Sequence, residues 1–376
     1  MKRMLILFSV LVIFTAPAAG ARAVATDTAI DIALLLDTSN SMDGLIKQAK
    51  TQLWTIVQEF SEARRHGGTP TLRVALFEYG NTNLPAREGY IRQVVPLTDN
   101  LDELSEALFG LTTQGGDEYC GQVLDEAITR LDWSRGGGHY RAVFIAGNEP
   151  FSQGGVDYRT ACGRAVDRSI VVNTIHCGSR EEGIRGFWQD GAVQGKGEAL
   201  NIDQDRQVRH IPCPQDPQII KLNEELNKTY LWYGTEDFRL HNFDNQMRQD
   251  RNAESLAPEV AVKRAITKTS PMYSNRSRDL VDTYGDDPAA LAEVEEELLP
   301  EKMQKMSVVE RQAHLQVMAQ KRADLQKEIQ KLSVEREQYL ATEMARMEKE
   351  DPEATLGGAI VQAVRQQLTS AGFERP

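Results

Sequence analysis

The chain has 376 residues and carries 43 basic and 55 acidic side chains, which give a formal net charge of −12. This acidity excludes a general binder of nucleic acids or anionic membranes, because both functions need a basic surface. The mean hydropathy of −0.44 excludes a protein with many membrane spans. Since one hydrophobic core rarely fills this length, we expect one domain with an extension, or two domains.

The N-terminus has the pattern of a secretory signal. Lys2 and Arg3 precede an apolar segment at 5–14, and small residues at 19–25 offer two cleavage sites. This pattern predicts a Sec-type signal peptide over residues 1–25 and a periplasmic or secreted protein, with an uncleaved anchor helix as the alternative. No cysteine follows the apolar segment to carry a lipid, and no later segment is apolar enough to span a membrane.

Strands and helices are predicted to alternate from residue 28 to residue 233. The nearly continuous apolar run at 30–36 is typical of a strand buried on both faces of a parallel sheet. Further strands are predicted at 71–79, 90–97, 142–146, 169–175 and 200–203, and helices at 45–60, 101–111, 118–131, 158–166 and 217–228. A short turn-rich connection makes the pair 71–79 and 90–97 antiparallel. The order predicts a doubly wound α/β domain with a mostly parallel sheet, right-handed crossovers and one antiparallel edge hairpin.

Two regions follow the predicted domain. Residues 234–288 are polar and show few apolar periods, which predicts a linker or an irregular covering segment. Residues 289–376 are predicted to form a helical C-terminal extension. Within it, Ser307 and Glu310 have the spacing of a capping box at the start of a helix.

The extension also has a near-heptad pattern of apolar residues between 315 and 339, which predicts a coiled coil. Arg322 and Arg336 interrupt this pattern, and Ser333 is expected to divide it into two helices. The mixed charges of residues 303–350 indicate either a solvated helix face or self-association.

The four cysteines form an even set, which in an exported chain predicts two disulfides with three conceivable connectivities. The favoured pairing joins Cys120 to Cys162 and Cys177 to Cys213, with the second bond closing a glycine-rich segment. Four buried free thiols are the alternative. A zinc site is not expected, because no two cysteines have the CxxC spacing.

A motif of the form D-x-S-x-S, made by Asp37, Ser39 and Ser41, lies between the first predicted strand and the first predicted helix. In doubly wound sheets, ligands bind at the carboxyl ends of the strands. The alternative is that Ser41 only caps the helix. The position directly after a fully apolar strand favours a binding site.

In this position the motif resembles the metal-ion-dependent adhesion site of the von Willebrand factor A (VWA) domain, and the resemblance covers residues 28–233. Four further segments are similar to an exported bacterial subgroup of that family: 115–121, 146–151, 173–178 and 200–203. The resemblance implies a divalent cation, Mg²⁺ or else Mn²⁺ or Ca²⁺. Mg²⁺ prefers six hard oxygen ligands, so the hydroxyls of Ser39 and Ser41 would bind it directly and Asp37 directly or through water. One position would stay open for an acidic side chain of a protein partner.

The other two loops depart from the family pattern. The second loop usually offers a threonine after two glycines, whereas here Asp117 follows the glycine pair. The third loop usually reads T-D-G, whereas here it reads A-G-N and has no acid at Gly147. We expect Asp117 to replace that carboxylate at the metal; alternatively it caps the next helix and the site binds metal weakly. Further candidate ligands are Thr112, Thr113, Asn148 and Glu149.

These observations favour a non-enzymatic, metal-dependent module that binds a protein partner. A hydrolase that uses Asp37 and Asp117 with a metal is disfavoured, because the sequence shows no nucleophile–base pair. A third hypothesis is a scaffold protein that assembles through its C-terminal coiled coil and keeps a structural, metal-weak domain.

Overall fold

The structure is a computed structural model, and it describes residues 28–202, 211–350 and 357–374. The predicted signal peptide at residues 1–25 lies outside the described residues, so it stays a prediction. Among the helices that are described, none combines the length and the apolar character needed to cross a membrane.

The described residues form a six-stranded sheet. Its strands are β1 (Ala29–Asp37), β2 (Thr71–Tyr79), β3 (Ile91–Thr98), β4 (Tyr140–Gly147), β5 (Val171–Cys177) and β6 (Lys196–Ile202). Their order across the sheet is β3-β2-β1-β4-β5-β6. Only β3 runs antiparallel to its neighbour, and the remaining pairs are parallel. The predicted fold class, including the antiparallel edge hairpin, is confirmed.

Helices cover both faces of this sheet. Those before residue 230 are α1 (Ile46–Ser61), α2 (Leu101–Gly110), α3 (Cys120–Arg130), α4 (Tyr158–Asp167), α5 (Arg180–Arg185), α6 (Trp188–Gln194) and α7 (Asp216–Asn227). The later ones are α8 (Glu236–Leu256), α9 (Pro258–Thr267), α10 (Leu280–Tyr284), α11 (Glu301–Gln304), α12 (Val308–Glu350) and α13 (Gly357–Ser370).

The central strand β1 shows why the sequence gives this layered arrangement. All nine of its residues are buried. Ile32 and Leu34 face a core shared with α1, α2, α7, α9 and α13. Ala33 and Leu35 face the opposite core, which α3, α4 and α6 cover. A strand that is apolar on both faces therefore has to lie in the middle of the sheet, and its carboxyl end, where Asp37 lies, meets the loops of its neighbours.

The expectation of a linker or irregular segment at 234–288 is wrong for the part that α8 and α9 occupy. The buried side of α8 is largely polar, because Asn245, Gln246 and Gln249 lie there. Gln249 accepts a hydrogen bond from the Ser105 hydroxyl of α2 at 3.0 Å. A helix whose buried face is made of amides lacks the apolar period by which helices are predicted from sequence.

The long helix α12 is continuous, so Ser333 does not divide it. Its start confirms the capping box: Glu310 accepts from the Ser307 backbone N–H at 2.8 Å, and its own N–H donates to the Ser307 hydroxyl at 3.4 Å.

The heptad-spaced residues of α12 pack on the protein's own domain rather than on a second long helix, which corrects the coiled-coil interpretation. Leu315, Arg322, Ile329 and Arg336 are all buried. The Arg322 guanidinium binds the carboxylates of Asp279 and Asp282 at 2.7 and 2.6 Å, and Arg336 binds Asp216 at 2.7 Å. The arginines that interrupt the apolar pattern are thus ion-pair contacts within the chain. Self-association through residues 303–350 stays a prediction.

The predicted disulfides are absent, since Cys120, Cys162, Cys177 and Cys213 are all free and buried. Cys120 and Cys162 lie in the core on one face of the sheet, whereas Cys177 belongs to the core on the other face. The Cys162 thiol is 3.5 Å from the Gly191 carbonyl oxygen and the Cys120 thiol 3.6 Å from the Tyr79 hydroxyl. Each thiol serves as a small core group, as free cysteine often does.

Candidate functional site

The D-x-S-x-S motif forms the turn that leaves the carboxyl end of β1. The Asp37 carboxylate accepts a hydrogen bond from the Ser39 backbone N–H at 2.8 Å, which closes the turn. A short 3₁₀ turn covers Asn40–Met42, and α1 begins only at Ile46 without a side-chain cap. Ser41 therefore does not cap α1.

The two serine hydroxyls and the third loop form one connected group. The Ser39 and Ser41 hydroxyl oxygens are 2.8 Å apart. The Ser41 hydroxyl donates to the Asn148 side-chain oxygen at 2.9 Å, and the Asn148 amide nitrogen donates to the Ser41 carbonyl at 3.1 Å. Asn148, which the sequence offered only as a further candidate, thus joins the end of β4 to the motif.

The second carboxylate at this site belongs to Glu118, not to Asp117. Glu118 is buried, and its side chain forms a hydrogen bond with Ser39 and acts electrostatically on Asp37. A Cβ placed on Gly80 would lie 2.9 Å from an Asp37 carboxylate oxygen and 3.0 Å from the Glu118 Cγ, so both acids line the same small space. Asp117 is exposed and accepts a hydrogen bond from the Tyr119 hydroxyl at 3.2 Å.

The alternative role for Asp117 is not observed either. Helix α3 begins at Cys120, and no side chain caps its N-terminus. We expected an acid of the second loop to replace the acid that the third loop lacks. The second loop does place a carboxylate in the site, but this carboxylate belongs to Glu118 and not to Asp117.

Burial makes the two carboxylates weaker acids. Asp37 is fully buried, and this burial raises its pKa to about 6, although hydrogen bonding from Ser39 and from the Asn148 backbone N–H acts in the opposite direction. Burial and the nearby charge of Asp37 raise the pKa of Glu118 to about 7. The second oxygen of Asp37, Oδ2, has no hydrogen-bond partner among the described residues. A buried carboxylate oxygen without a donor is costly unless a cation or proton meets it.

The missing acid of the third loop has a steric explanation. A Cβ on Gly147 would lie 2.4 Å from the Tyr79 hydroxyl and 3.1 Å from Asp37 Oδ2. The Tyr79 hydroxyl is itself held by a hydrogen bond to the Ala146 carbonyl at 3.0 Å. No side chain fits at this position unless Tyr79 moves, so the position that usually carries an aspartate here holds glycine.

The remaining candidates do not reach the serine hydroxyls. The Thr113 hydroxyl donates to the Asp43 carboxylate, and Thr112 is exposed while its carbonyl accepts from Asn81 at 3.0 Å. Glu149 raises the pKa of Asp37 through its charge, and its carbonyl accepts from the Trp188 indole at 2.8 Å.

His176 supports the third loop from behind. It is buried, and one ring nitrogen lies 3.3 Å from the Asn148 carbonyl oxygen while the other lies 3.2 Å from the Asn201 side-chain oxygen. A Cβ on Gly183 would lie 2.8 Å from the ring, so the residue is tightly enclosed. This arrangement gives His176 a structural role in placing Asn148.

The donor set fits a hard divalent cation better than a soft one. Among the described residues, no three His, Cys, Asp or Glu side chains are grouped to hold a metal. The site instead offers two hydroxyls, one amide oxygen and two carboxylates, which are the oxygen donors that Mg²⁺, Mn²⁺ and Ca²⁺ prefer. Asp37 Oδ2, the buried oxygen without a partner, is the specific feature that such a cation would satisfy.

Residues 31–184 match the family model of the von Willebrand factor type A domain. Solved structures with a similar arrangement include BatB from Bacteroides thetaiotaomicron, which is 17% identical with a TM-score of 0.36 and covers 46% of this chain and 90% of that one. The VWA domain of SpRpn10 is 14% identical, with a TM-score of 0.36 and coverages of 47% and 89%. No curated protein matches the chain.

Another structure in the comparison is proximal thread matrix protein 1 from the mussel byssus with a zinc-occupied MIDAS motif. It is 13% identical with a TM-score of 0.36, and the match covers 48% of this chain and 43% of that one. The family match coincides with β1 to β5 of the sheet and includes the D-x-S-x-S turn. The protein therefore contains a von Willebrand factor type A domain.

Proposed function

We propose that this protein binds a protein partner through a divalent cation held at the carboxyl end of β1. Ser39, Ser41 and Asp37 would hold the cation, with Glu118 and Asn148 beside them. The observation that carries the proposal is the buried Asp37 carboxylate, which has one unpartnered oxygen and begins a turn whose two serine hydroxyl oxygens are 2.8 Å apart. A bound cation supplies an electron-poor centre that accepts an oxygen from the partner.

The charges of the site refine this proposal. A divalent cation beside ionised Asp37 and Glu118 has no net charge left, so its attraction for a partner carboxylate is weaker than at a site with one acid. Deprotonation of both acids is itself disfavoured by burial. The exposed side of the site carries Ser41. The partner's oxygen would therefore approach over Ser41, away from the two buried carboxylates.

The surface beside the third loop supports a protein partner. Ile184 and Phe187 are 48% and 43% exposed, and both lie in the segment that binds this loop. The Gly186 carbonyl accepts a hydrogen bond from the Phe151 N–H at 2.7 Å. Phe187 has a φ of +66°, a left-handed conformation that is costly for a bulky residue and persists where the surroundings enforce it. Exposed apolar side chains on a segment that is bonded to the third loop suit recognition of a protein surface.

A non-enzymatic role is part of the proposal. The hydrolase hypothesis requires Asp37 and Asp117 at one centre, but Asp117 is exposed while Asp37 is fully buried. His176 contacts the Asn148 backbone and the Asn201 side chain, so it has no serine or cysteine hydrogen-bonded to it as a nucleophile among the described residues. We also propose export, on the basis of the residues 1–25 alone; a reporter that is active only outside the cytoplasm, fused to this segment, tests it.

Calorimetric titration of Mn²⁺ and Mg²⁺ into the protein tests the cation site. We expect wild-type protein to bind, and Ser39→Ala and Glu118→Gln each to weaken binding at least about tenfold. Asp117→Asn is the matched control, because it removes a neighbouring charge that lies outside the site, and its affinity should equal that of wild type. Failure of the wild type to bind either ion, or equal losses in the Glu118 and Asp117 variants, would contradict the assignment.

Partner binding needs a separate experiment. Wild-type protein and Ser39→Ala are used as baits on exported proteins, each with Mn²⁺ and with a chelator. The proposal expects a protein that is retained only by the wild type in Mn²⁺. A partner retained equally in all four conditions would show that recognition does not pass through the cation.

A further inference from the structure

Helix α8 carries a row of exposed side chains on the side that faces away from its buried amides. Leu240 and Phe243 are 54% and 49% exposed, and Met247 is partly exposed. Glu236 and Arg251, both exposed, lie at the two ends of the row. Because an α-helix turns by about 100° per residue, the five positions fall within about 80° of one another and span about 22 Å. We call these five residues the α8 stripe.

The centre of the stripe is apolar, although α8 as a whole is a polar helix. Leu240 and Phe243 are neighbours on the helix surface, since residues three positions apart lie side by side. The sulfur of Met247, one turn further along, lies 3.7 Å from the Asn227 side-chain nitrogen of α7, so α7 holds one side of this residue. Adjacent exposed apolar side chains with polar residues around them mark interaction sites. The centre of the stripe therefore has the character of a helix face that packs on another surface.

The two ends of the stripe carry opposite charges. Neither Glu236 nor Arg251 forms an ion pair within the described part of the chain. Arg248, which lies beside the stripe, differs in this respect, because it pairs with Glu106 of α2 at 2.6 Å. The acidic end and the basic end of the stripe are thus both available to a partner.

The order of acidic, apolar and basic residues makes the stripe complementary to itself in reverse. When two copies pack their α8 helices antiparallel, Glu236 of each copy faces Arg251 of the other. Leu240 then faces Met247, and the two Phe243 rings meet beside the two-fold axis. A parallel arrangement would place like charges opposite each other, which is unfavourable. A two-fold contact, in which one patch meets a second copy of itself, is also the commonest arrangement in homo-oligomers.

We propose that the α8 stripe is the contact between two copies of this protein, packed antiparallel about a two-fold axis near Phe243. The dimer is weak, because the net charge of −12 makes two copies repel each other. Asp244 lies at the rim of the contact near its own symmetry mate, where solvent keeps the repulsion small. This inference does not depend on the cation site.

Sedimentation velocity of the full-length protein tests the proposal. The protein is measured with a chelator, so that no cation can bridge two copies, at concentrations from about 1 µM to about 1 mM. We expect the sedimentation coefficient to rise with concentration towards that of a dimer. Phe243→Ser should weaken the dimer at least about tenfold, because it removes both rings from the centre of the contact. Val317→Ser is the matched control, since Val317 is 60% exposed but lies on α12, and its dimer should equal that of wild type.

Charge reversal tests the antiparallel register. Glu236→Lys and Arg251→Glu should each weaken the dimer at least about threefold, because either change turns two attractions into two repulsions. An equal mixture of these two variants should associate as tightly as wild type. In the mixed dimer each end of one stripe again meets an opposite charge on the other, which happens only when the helices run antiparallel.

Three results would overturn the proposal. Wild-type protein that stays monomeric over the whole concentration range would leave the stripe to another partner. Weakening by Val317→Ser that equals the effect of Phe243→Ser would place the contact on α12. A mixture of the two charge variants that associates no better than either variant alone would rule out the antiparallel pairing. The mixing experiment changes exposed charges only, so it decides the question even if Phe243→Ser fails to fold.

Discussion

Replacing Asp250 by asparagine should show how strongly helices α8 and α9 are joined to the rest of the protein. Asp250 on α8 binds Arg264 at 2.6 Å and Lys268 at 2.6 Å, both of which lie on or next to α9. It also accepts from Asn223 and Asn227 of α7 at 3.0 and 2.7 Å. Arg264 in turn binds Asp102 of α2 at 2.7 Å, so the Asp250 carboxylate connects α7, α8 and α9, and Arg264 joins this group to α2.

The size of the effect follows from what Asp250→Asn leaves behind. Arg264 keeps the Asp102 carboxylate, but fully buried Lys268 loses its ion-pair partner and keeps only neutral acceptors, such as the Asn227 side-chain oxygen at 2.8 Å. Removing one member of a buried ion pair typically costs about 3–5 kcal/mol, because the other charge stays buried without compensation. We therefore expect the free energy of unfolding at neutral pH to fall by about 4 kcal/mol.

The pH dependence gives the reasoning a second test. Burial lowers the pKa of Lys268 to about 8, although Asp250 acts to raise it, so its loss lowers this pKa further. Lys268 thus has one pKa in the folded variant and a higher one in folded wild type. At pH values between these two, Lys268 is deprotonated in the folded variant but still protonated in folded wild type. The stability of the variant therefore rises with pH relative to wild type, by about 1.4 kcal/mol per pH unit, until wild-type Lys268 also loses its proton at about pH 8.

Urea denaturation at about pH 6.5 and about pH 8 measures the free energy of unfolding of both proteins. We expect the loss of stability caused by Asp250→Asn to be about 2 kcal/mol smaller at the higher pH. Asp244→Asn is the control, because Asp244 lies on the same helix, is exposed, and loses the same charge. A penalty below about 1 kcal/mol for Asp250→Asn, or one that does not shrink between the two pH values, would refute the account of a buried ion network.

Three further predictions concern other parts of the molecule. Gly80→Ala puts a Cβ 2.9 Å from an Asp37 oxygen at a φ of +80°, so it should weaken cation binding. Gly67→Ala has a similar φ of +73° but open space around the Cβ, so it should only destabilise the fold. Titration calorimetry measures the change in cation binding, and thermal melts measure the change in stability. Arg322→Gln should cost about 3–5 kcal/mol and speed amide exchange along α12, while Lys327→Gln should leave both unchanged. Ellman's reagent should detect four thiols per chain after denaturation and almost none before it, and a count that rises with reductant would show disulfides.

The fold could be predicted from the sequence because its central strands are apolar on both faces. The run that became β1 has no polar face, so it had to lie inside a sheet covered by helices on both sides. The same logic failed for α8, whose buried side chains are amides that bond to one another and to α2. The periodicity of apolar residues predicts helices that pack through apolar contacts. It does not detect a helix that packs through hydrogen bonds.

The site could be predicted to the level of the loop but not of the residue. The motif placed Asp37, Ser39 and Ser41 correctly at one turn, since consecutive residues after a strand stay together. Which of Asp117 and Glu118 enters the site depends on how the second loop packs against Gly80. The two backbones come so close there that a Cβ on Gly116 would lie 2.2 Å from the Gly80 carbonyl oxygen. That close approach of two backbones turns one neighbouring acid inward and the other outward, and spacing alone does not encode it.

Arg322 and Arg336 show a related limit. Both occupy heptad positions that a coiled coil fills with apolar residues, so they counted as interruptions of the pattern. Each is buried against acids that lie far away in sequence, Asp279 and Asp282 for the first and Asp216 for the second. A charge at a seam position is consistent with docking on a specific acidic surface, but only the fold identifies that surface.

The distribution of opposite charges separates the proposed Asp37 site from the structural ion pairs. Lys268 and Arg322 are as deeply buried as Asp37, yet each contacts at least one acid at 2.7 Å or less. The charges that act on Asp37 include those of two acids, Glu149 and Glu118, and Asp37 forms no ion pair within the described residues. Burial of a charge without an opposite charge lowers stability, so such a position persists when a ligand supplies the missing charge. By this argument the Asp37 site requires a cation, and the loss of that cation should lower the stability of the protein.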